Sequence, residues 1–485
     1  MALAQERRLG ERLVDLLGED SVLHRPEDVI VYEYDYGLDR AVPQAVVFPR
    51  NAGEVAAVVK LARDLDLPVV ARGAGTGISG GAVPVQGGIV VALARMKRIV
   101  EIDPANRVAI VEPGVVNLDI SIAAEPYGLF FAPDPSSQKA STIGGNVGNN
   151  AGGPHCLAQG STTNHILGVE LVLPTGEIVE LGGIPPERPG YDLTGLVVGA
   201  EGTVGIVTRV IVKLMPIPPA VKTFLAIFDS VDDASAAVSG IIGRGIIPSA
   251  LELMDQLALR AIEAAFHAGY PPDAGAVLLV EIDGLPESVA EQGAAVEQIC
   301  RDNDARELRA AESPEARAKL WAARKGAASA MGRIAPNYYL HDTVIARTRL
   351  PGVLARVVEI GERHQLPIAN LFHAGDGNLH PMILFDVREQ GILDRVLQAG
   401  REILEVSVEA GGTISGEHGI GVEKNRFMPW IFSEDDLDVM ARARAAFDPL
   451  GRFNPGKVLP TSSSCQDSYA RPRAAVAAGH PELWI

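Results

Sequence analysis

A chain of 485 residues exceeds what one hydrophobic core usually supports and predicts two domains, with binding between them. Its formal charge of −18, from 61 acidic against 43 basic residues and with no long run of Lys or Arg, excludes nucleic acid and anionic lipid as partners. Cys156, Cys300 and Cys465 are too few and too scattered for a disulfide framework or a C-x-x-C metal site, which points to a reducing compartment.

The opening stretch, "MALAQERRLGERLVDLLGED", is charged throughout and lacks an apolar core followed by a small-residue cleavage site. No apolar run approaches the ~20 residues that cross a bilayer. Residues 1–40 are therefore expected as an N-terminal helical segment of a soluble, cytoplasmic protein without direct membrane insertion. Between 41 and 220 short β-rich runs alternate with a helical piece: "QAVVFP", "NAGEVAAVVKLARDLD", "LPVVARG", "GGIVVAL" and "RVAIVEPG". Apolar spacing of three and four in the second of these predicts a helix packed on a mixed sheet. Glycine then becomes dense, and "IGGNVGNNAGG" (143–153) and "GAEGTVGIV" (199–207) are expected as loops or tight turns.

The proline cluster "LMPIPPA" (214–220) stops a strand and suits a linker. From 221 to 430 strands ("KTFLAIF", "AVLLVEI", "DTVIARTRL", "ANLFHAG", "HPMILFD") mix with Ala-rich helices ("SVAEQGAAVEQICRDN", "ILDRVLQAGREILEVSVEAGG"), as in an antiparallel sheet backed by helices. Residues 431–460 end in the turn-rich "AFDPLGRFNPGKVLP", and 461–485 are expected as a poorly ordered tail. The fold class is α+β.

Gly75-x-Gly77-x-x-Gly80 has the letters of the dinucleotide fingerprint, but Pro84 and further glycines stand where its helix should run, and no G-K-[ST] follows. Such a loop still binds a pyrophosphate when consecutive backbone N–H groups curl into a nest. Two more glycine loops in the same region exceed what turn-making requires.

Together "PVVARGAGTGISGGAVP", "PDPSSQKASTIGGNVGNNAGG" and "GAEGTVGIVT" resemble, in order and spacing, the FAD-binding segments of the FAD-linked oxidases of the vanillyl-alcohol oxidase type, D-2-hydroxyacid dehydrogenase branch, from about residue 40 to 460. The resemblance implies a two-part FAD-binding domain (41–220), a substrate or cap domain built on an antiparallel sheet (221–430) and a segment returning to the flavin domain (431–460) with Asn454 in "FNPGK". By matching motif, Arg72, Gly73, Ala74, Gly75, Thr76, Gly77, Ser79 and Gly80 inherit the pyrophosphate. The second segment, opening at Pro133 and Asp134 and including Thr142, Gly145, Asn149, Gly152 and Gly153, inherits the isoalloxazine and ribityl chain; Glu201, Gly205 and Ile206 inherit the adenine side. Some members attach FAD through histidine or cysteine. Here His155 and Cys156 are read as ordinary packing or polar residues and FAD as non-covalent.

In "LFHAGDGNLHPMILF" two histidines flank a Gly-Asp-Gly tip. If Asp376 and Gly377 form a two-residue hairpin turn, His373 opposes His380, and facing imidazoles with Cβ atoms ~4.5 to 5.5 Å apart converge on one ion. In "GGTISGEHGIGVEK" (411–424) the glycines let Glu417 and His418 turn into one cavity. The family pattern assigns the metal to His373, His380 and Glu417 and the base to His418; Zn is expected, with Mn or Fe able to use the same ligands.

The resemblance also gives Arg324, in "LWAARKGAAS", the substrate's acidic end, for which a planar guanidinium suits a carboxylate. Ala328 and Met382 stand where relatives taking larger dicarboxylates carry polar groups, which favours a small 2-hydroxy acid, glycolate or D-lactate. The expected reaction passes the C2 hydride to flavin N5 and the hydroxyl proton to His418, leaving the 2-oxo acid. The chain has no iron–sulfur cysteine pattern, so electrons leave to another protein or quinone rather than NAD. The glycolate oxidase members of the branch imply one flavin-like and one iron–sulfur partner subunit, hence association with the membrane through partners; a homo-oligomer stays open. Two rivals are a flavin-free zinc hydrolase, which would purify colourless, and a non-catalytic flavin relay, which would need no metal ligands.

Overall fold

A computed structural model describes residues 2–185 and 189–461; the expected tail beyond 461, with Cys465, lies outside the described residues. Two sheets make up the first half. In the smaller, β1 (Val22–Leu23), β2 (Ala45–Val47), β3 (Val69–Arg72) and β4 (Ile89–Ala92) lie in the order β1-β2-β4-β3, with β2 and β3 parallel to β4. The helix Ala52–Asp64 connects β2 to β3. It starts where Asn51 accepts from the Glu54 amide, and it buries Val55, Val58, Val59 and Ala62 against the sheet. Leu9, Leu13 and Leu17 of the helix Ala2–Leu17 close the same core.

The second sheet runs β5 (Ile99–Asp103), β6 (Val108–Val111), β10 (Ile206–Lys213), β8 (Ile166–Val172), β9 (Ile178–Gly182), all antiparallel. Two short strands, β7 (Leu129–Phe130) and β11 (Met215–Pro216), pair with each other, so the proline cluster carries a rung of ladder before the chain leaves this half. Late in the chain the backbone returns: the Val69 amide donates to Arg452 O and the Asn454 amide to Val69 O, which extends the edge of β3.

One glycine loop departs from expectation. Residues 143–153 are not all loop, because Ile143–Asn149 is helical. Thr142 caps it by accepting from the Gly145 amide, Ile143 and Val147 are buried one turn apart, and Asn150 in the left-handed conformation (φ 51°) ends it. Glycine serves closeness here: a Cβ on Gly144 would come 2.7 Å from Pro113 Cβ.

The second half is one large antiparallel sheet. β12 (Ala220–Phe228), β13 (Ala250–Asp255), β14 (Ala276–Gly284), β15 (Glu307–Ala310), β16 (Asn337–Leu340), β17 (Thr343–Val344), β18 (Ile368–His373) and β19 (Asn378–Phe385) lie in the order β15-β12-β14-β13-β18-β19-β16, with β17 also on β19. "DTVIARTRL" yields only the two residues of β17. The Ile345 amide donates to Gly377 O and the Arg347 guanidinium to Gly375 O, which draws the chain off the ladder.

Side-chain alternation divides the sheet into two faces. Phe224, Phe228, Leu278, Phe372, Leu379 and Ile383 point to the helices Val231–Gly243, Pro286–Asp302, Leu350–His364 and Ile392–Glu409. Leu225, Met254, Leu279, Leu371, Met382 and Leu384 point the other way, to Gln256–Phe266, Pro314–Lys325 and the cavity toward the first half. No helix among the described residues is long and apolar enough to cross a membrane. Truncating Phe372, fully buried beside His373, to Ala should cost about 3–5 kcal/mol, read as a lowered urea midpoint with an unchanged slope.

Candidate active site

The His373–His380 hairpin has a different register from the expected one. Its connection is the four residues 374–377, so His373 opposes Asn378 and His380 opposes Leu371. The Gly377 amide closes back on His373 O, and Asp376 Oδ1 accepts from the Asn378 amide, so Asp376 and Gly377 do not form a two-residue turn. Because Asn378 and His380 share a face, the two histidines still point the same way as diagonal neighbours, with ring centroids 5.0 Å apart. His373 Nε2 and His380 Nε2 each lie 3.1 Å from Glu417 Oε1, and one ligand atom from each of the three lies within 4.8 Å of the others.

His418 stacks on His380, centroids 5.0 Å apart, with its Nε2 3.7 Å from Glu417 Oε1. Asp342, His380 and His418 make a second close trio. Asp342 Oδ2, however, already accepts from the amides of Gly416, Glu417 and His418 and from Ser415 Oγ, at 2.8–3.1 Å. That carboxylate shapes the loop, which leaves His373, His380 and Glu417 as the set suited to an ion.

Charge supports the same assignment. Burial opposes a proton on His373, but Glu252 and Glu417 on either side outweigh it and hold the imidazole well above its ordinary range. The cluster therefore demands positive charge, from a proton or a metal ion. Burial instead pushes His418 down to about 4, leaving it neutral at neutral pH.

Arg324 is not a surface residue. It is 2 % exposed and lines the cavity; its Nη2 lies 2.5 Å from Glu252 Oε2 as an ion pair without hydrogen-bond alignment, and its Nε has no hydrogen-bond partner among the described residues. Glu252, Asp342 and the buried Lys424 escape a motif search. Glu252 left a trace in the sequence as an acid between Leu251 and Leu253, since a buried charge needs a partner.

One cavity of ≈ 430 Å³ joins these groups to the glycine loops. Its wall includes Arg72, Gly73, Ala74, Gly75, Thr76 and Gly77, then Thr142, Gly145, Asn149 and Gly152, then Glu201 and Gly205, and beyond them Arg324, His373, His380, Glu417 and His418. Among the described residues, the amides of Ala74 through Ser79 find no acceptor and Arg72 Nη1 is buried without a partner. A Cβ on Gly148 would meet nothing within 4 Å. Unpaired donors at one end and open glycine along the side fit a pyrophosphate-bearing dinucleotide.

Several residues of the expected cofactor set stand behind that wall. Ser79 Oγ donates to His418 O at 2.9 Å, joined there at 2.8 Å by Nδ2 of Asn149 from the wall itself. Gly80 packs by Asp39 and Val422, Gly153 by Asp134, and Ile206 lies in the core; Pro133 O accepts from Asn117, and Asn454 Nδ2 donates to Gly81 O and Glu201 O. Asp134 faces away, holding His155 Nδ1 (2.8 Å) and Lys325 Nζ (2.7 Å), and His155 Nε2 reaches Glu281 (3.2 Å), which also accepts from Thr223 and Trp321. Neither His155 nor Cys156 lines the cavity. Glu201 accepts from the amides of Ile420 and Gly421 at 2.7 and 2.8 Å, and burial pushes its carboxyl up to about 7 despite those donors.

A two-part first half presenting glycine loops to a cavity under an antiparallel cap defines a dinucleotide-dependent redox protein. Residues 43–182 match the model of the FAD binding domain and 217–458 that of the C-terminal domain of FAD linked oxidases. The chain is 48 % identical over 448 residues to glycolate oxidase subunit GlcD of Escherichia coli K12 (92 % of this chain, 90 % of that one). It is 41 % identical over 451 residues to the same subunit of Bacillus subtilis (93 % and 96 %), and 32 % over 430 to a D-lactate dehydrogenase of Anaerostipes hadrus (86 % and 90 %). Its fold is shared with substrate-bound p-cresol methylhydroxylase at TM-score 0.80 and 18 % identity, over 94 % of this chain and 97 % of the other. The chain belongs to the FAD-linked oxidases, has a fold of the vanillyl-alcohol oxidase type, and is an FAD-linked oxidoreductase.

At Gly421 (φ +54°) a Cβ would sit 1.8 Å from Ser79 O. Gly421→Ala should pry the loop from the cofactor cradle and weaken FAD retention by about 10- to 100-fold, measured as flavin released on dialysis. Gly243→Ala, with open space at its Cβ, should retain flavin like wild type.

Proposed function

We propose that the chain oxidises a small 2-hydroxy acid, glycolate or D-lactate, to the 2-oxo acid with non-covalent FAD and one divalent metal ion, Zn foremost. The carrying observation is the single cavity shared by the glycine cradle, the His373–His380–Glu417 cluster, His418 and Arg324. The relatives named for glycolate and D-lactate turnover support that substrate class.

His373, His380 and Glu417 would hold the ion, which when bound supplies Lewis acidity toward the substrate's hydroxyl and carboxylate. FAD supplies the acceptor for the C2 hydride. Arg324, whose side chain lines the cavity, takes the substrate carboxylate through its guanidinium. His418, neutral and next to Glu417, accepts the hydroxyl proton. Ala328, Leu340, Leu371 and Met382 make an apolar wall at that end, and Lys325 beside them is held by Asp134, so a second carboxylate meets no free cation there. Electrons leave to a partner protein, in keeping with relatives named as subunits.

A dye-linked screen of D- and L-2-hydroxy acids on the purified yellow protein tests the proposal: glycolate or D-lactate should reduce the dye, and a chelator should abolish the reaction until metal is restored. A colourless preparation that stays active overturns it. His418→Ala should lower kcat by about 10²- to 10⁴-fold with flavin retained. Because a proton competes with the ion for His373, whose acidic neighbours hold that proton well above the ordinary imidazole range, metal affinity should rise with pH through and beyond that range, followed with a competing chromophoric chelator.

A further inference from the structure

Glu252 has no exposure and does not line the cavity, yet it touches two groups that do. It is the direct cross-strand partner of His373, β13 against β18, so both side chains rise from the same face of the sheet. His373 Nδ1 lies 2.8 and 2.9 Å from its two oxygens, and Arg324 Nη2 lies 2.5 Å from Oε2. Glu417 approaches the opposite nitrogen of the same imidazole, at 3.1 Å. A continuous line of contacts therefore runs Arg324, Glu252, His373, Glu417.

We propose that Glu252 is a positioning residue that ties the substrate-binding guanidinium to the metal site through His373. The inference rests on the metal reading above and adds a direction to it. By accepting from Nδ1–H, Glu252 fixes the tautomer that leaves Nε2 free for an ion, and its charge makes that nitrogen a better ligand. Arg324 competes for the same charge: the more it neutralises Glu252, the less negative charge His373 receives. The two residues thus act on the ion with opposite signs. A packing role predicts otherwise, since damage at either position would weaken metal binding.

The test is zinc titration of FAD-loaded protein against a chromophoric chelator, with no substrate present. Glu252→Gln should bind zinc about 10- to 100-fold more weakly, while Arg324→Gln should bind it more tightly than wild type. Glu252→Asp, which keeps the charge, should recover part of what Glu252→Gln loses; it also serves if the glutamine variant does not fold, as judged by flavin retention. Wild-type zinc affinity in Glu252→Gln, or weakening in both Glu252→Gln and Arg324→Gln, overturns the proposal. Wild-type protein that takes up no zinc, manganese or iron is a separate result, and it overturns the metal reading together with the role built on it.

Discussion

The site depends on how the chain is held between 415 and 424. This stretch carries Glu417 and His418 yet has no ladder or helix of its own, and its position is imposed from outside by polar groups. Asp342 gathers three consecutive amides at one end, while Glu201 gathers the amides of Ile420 and Gly421 at the other. Ser79 and Asn149 grip the His418 carbonyl between them. The grips come from both halves of the molecule, and each of the three glycine loops supplies one. The glycine loops and the segment bearing Glu417 and His418 are thereby one mechanical unit. Buried carboxylates accepting several backbone donors suit this work, because charge-assisted hydrogen bonds are short and directional.

The ligand cluster divides its labour. His373 and His380 sit on neighbouring strands whose register fixes them side by side, whereas Glu417 reaches them from the loop. Buried acids around the imidazoles outnumber nearby cations, a condition that costs stability unless protons or ions balance it. Two environments then separate two histidines. His373, between acids, favours positive charge; His418, dominated by burial, stays neutral. One kind of side chain thus meets two opposite electrostatic environments within one cavity.

Local chemistry was legible in the sequence and long-range chemistry was not. Glycine loops, the paired histidines and the Glu417–His418 dipeptide are short patterns, and all three meet in one cavity. The hairpin register failed because Asp376 bonds the Asn378 amide and opens a wider turn, which the letters D-G do not reveal. The helix at Ile143–Asn149 hid behind glycine, although Thr142 as its cap and the spacing of Ile143 and Val147 were present. Glu252 and Asp342 act on residues 121 and 74–76 positions away, so no spacing rule reaches them. Asp134, placed by motif with the cofactor, is occupied by His155 and Lys325 from another direction.

That last cluster bears on how such chains are recombined. Asp134 and His155 belong to the first half, Glu281 and Lys325 to the second, and ion pairs link them across a partly buried seam. A chimera that joins the front of this protein to the back of a relative inherits only half of that set, leaving charges at a partly desolvated joint without their partners. Grafting by halves must carry all four side chains across together, or fold around a repulsive joint.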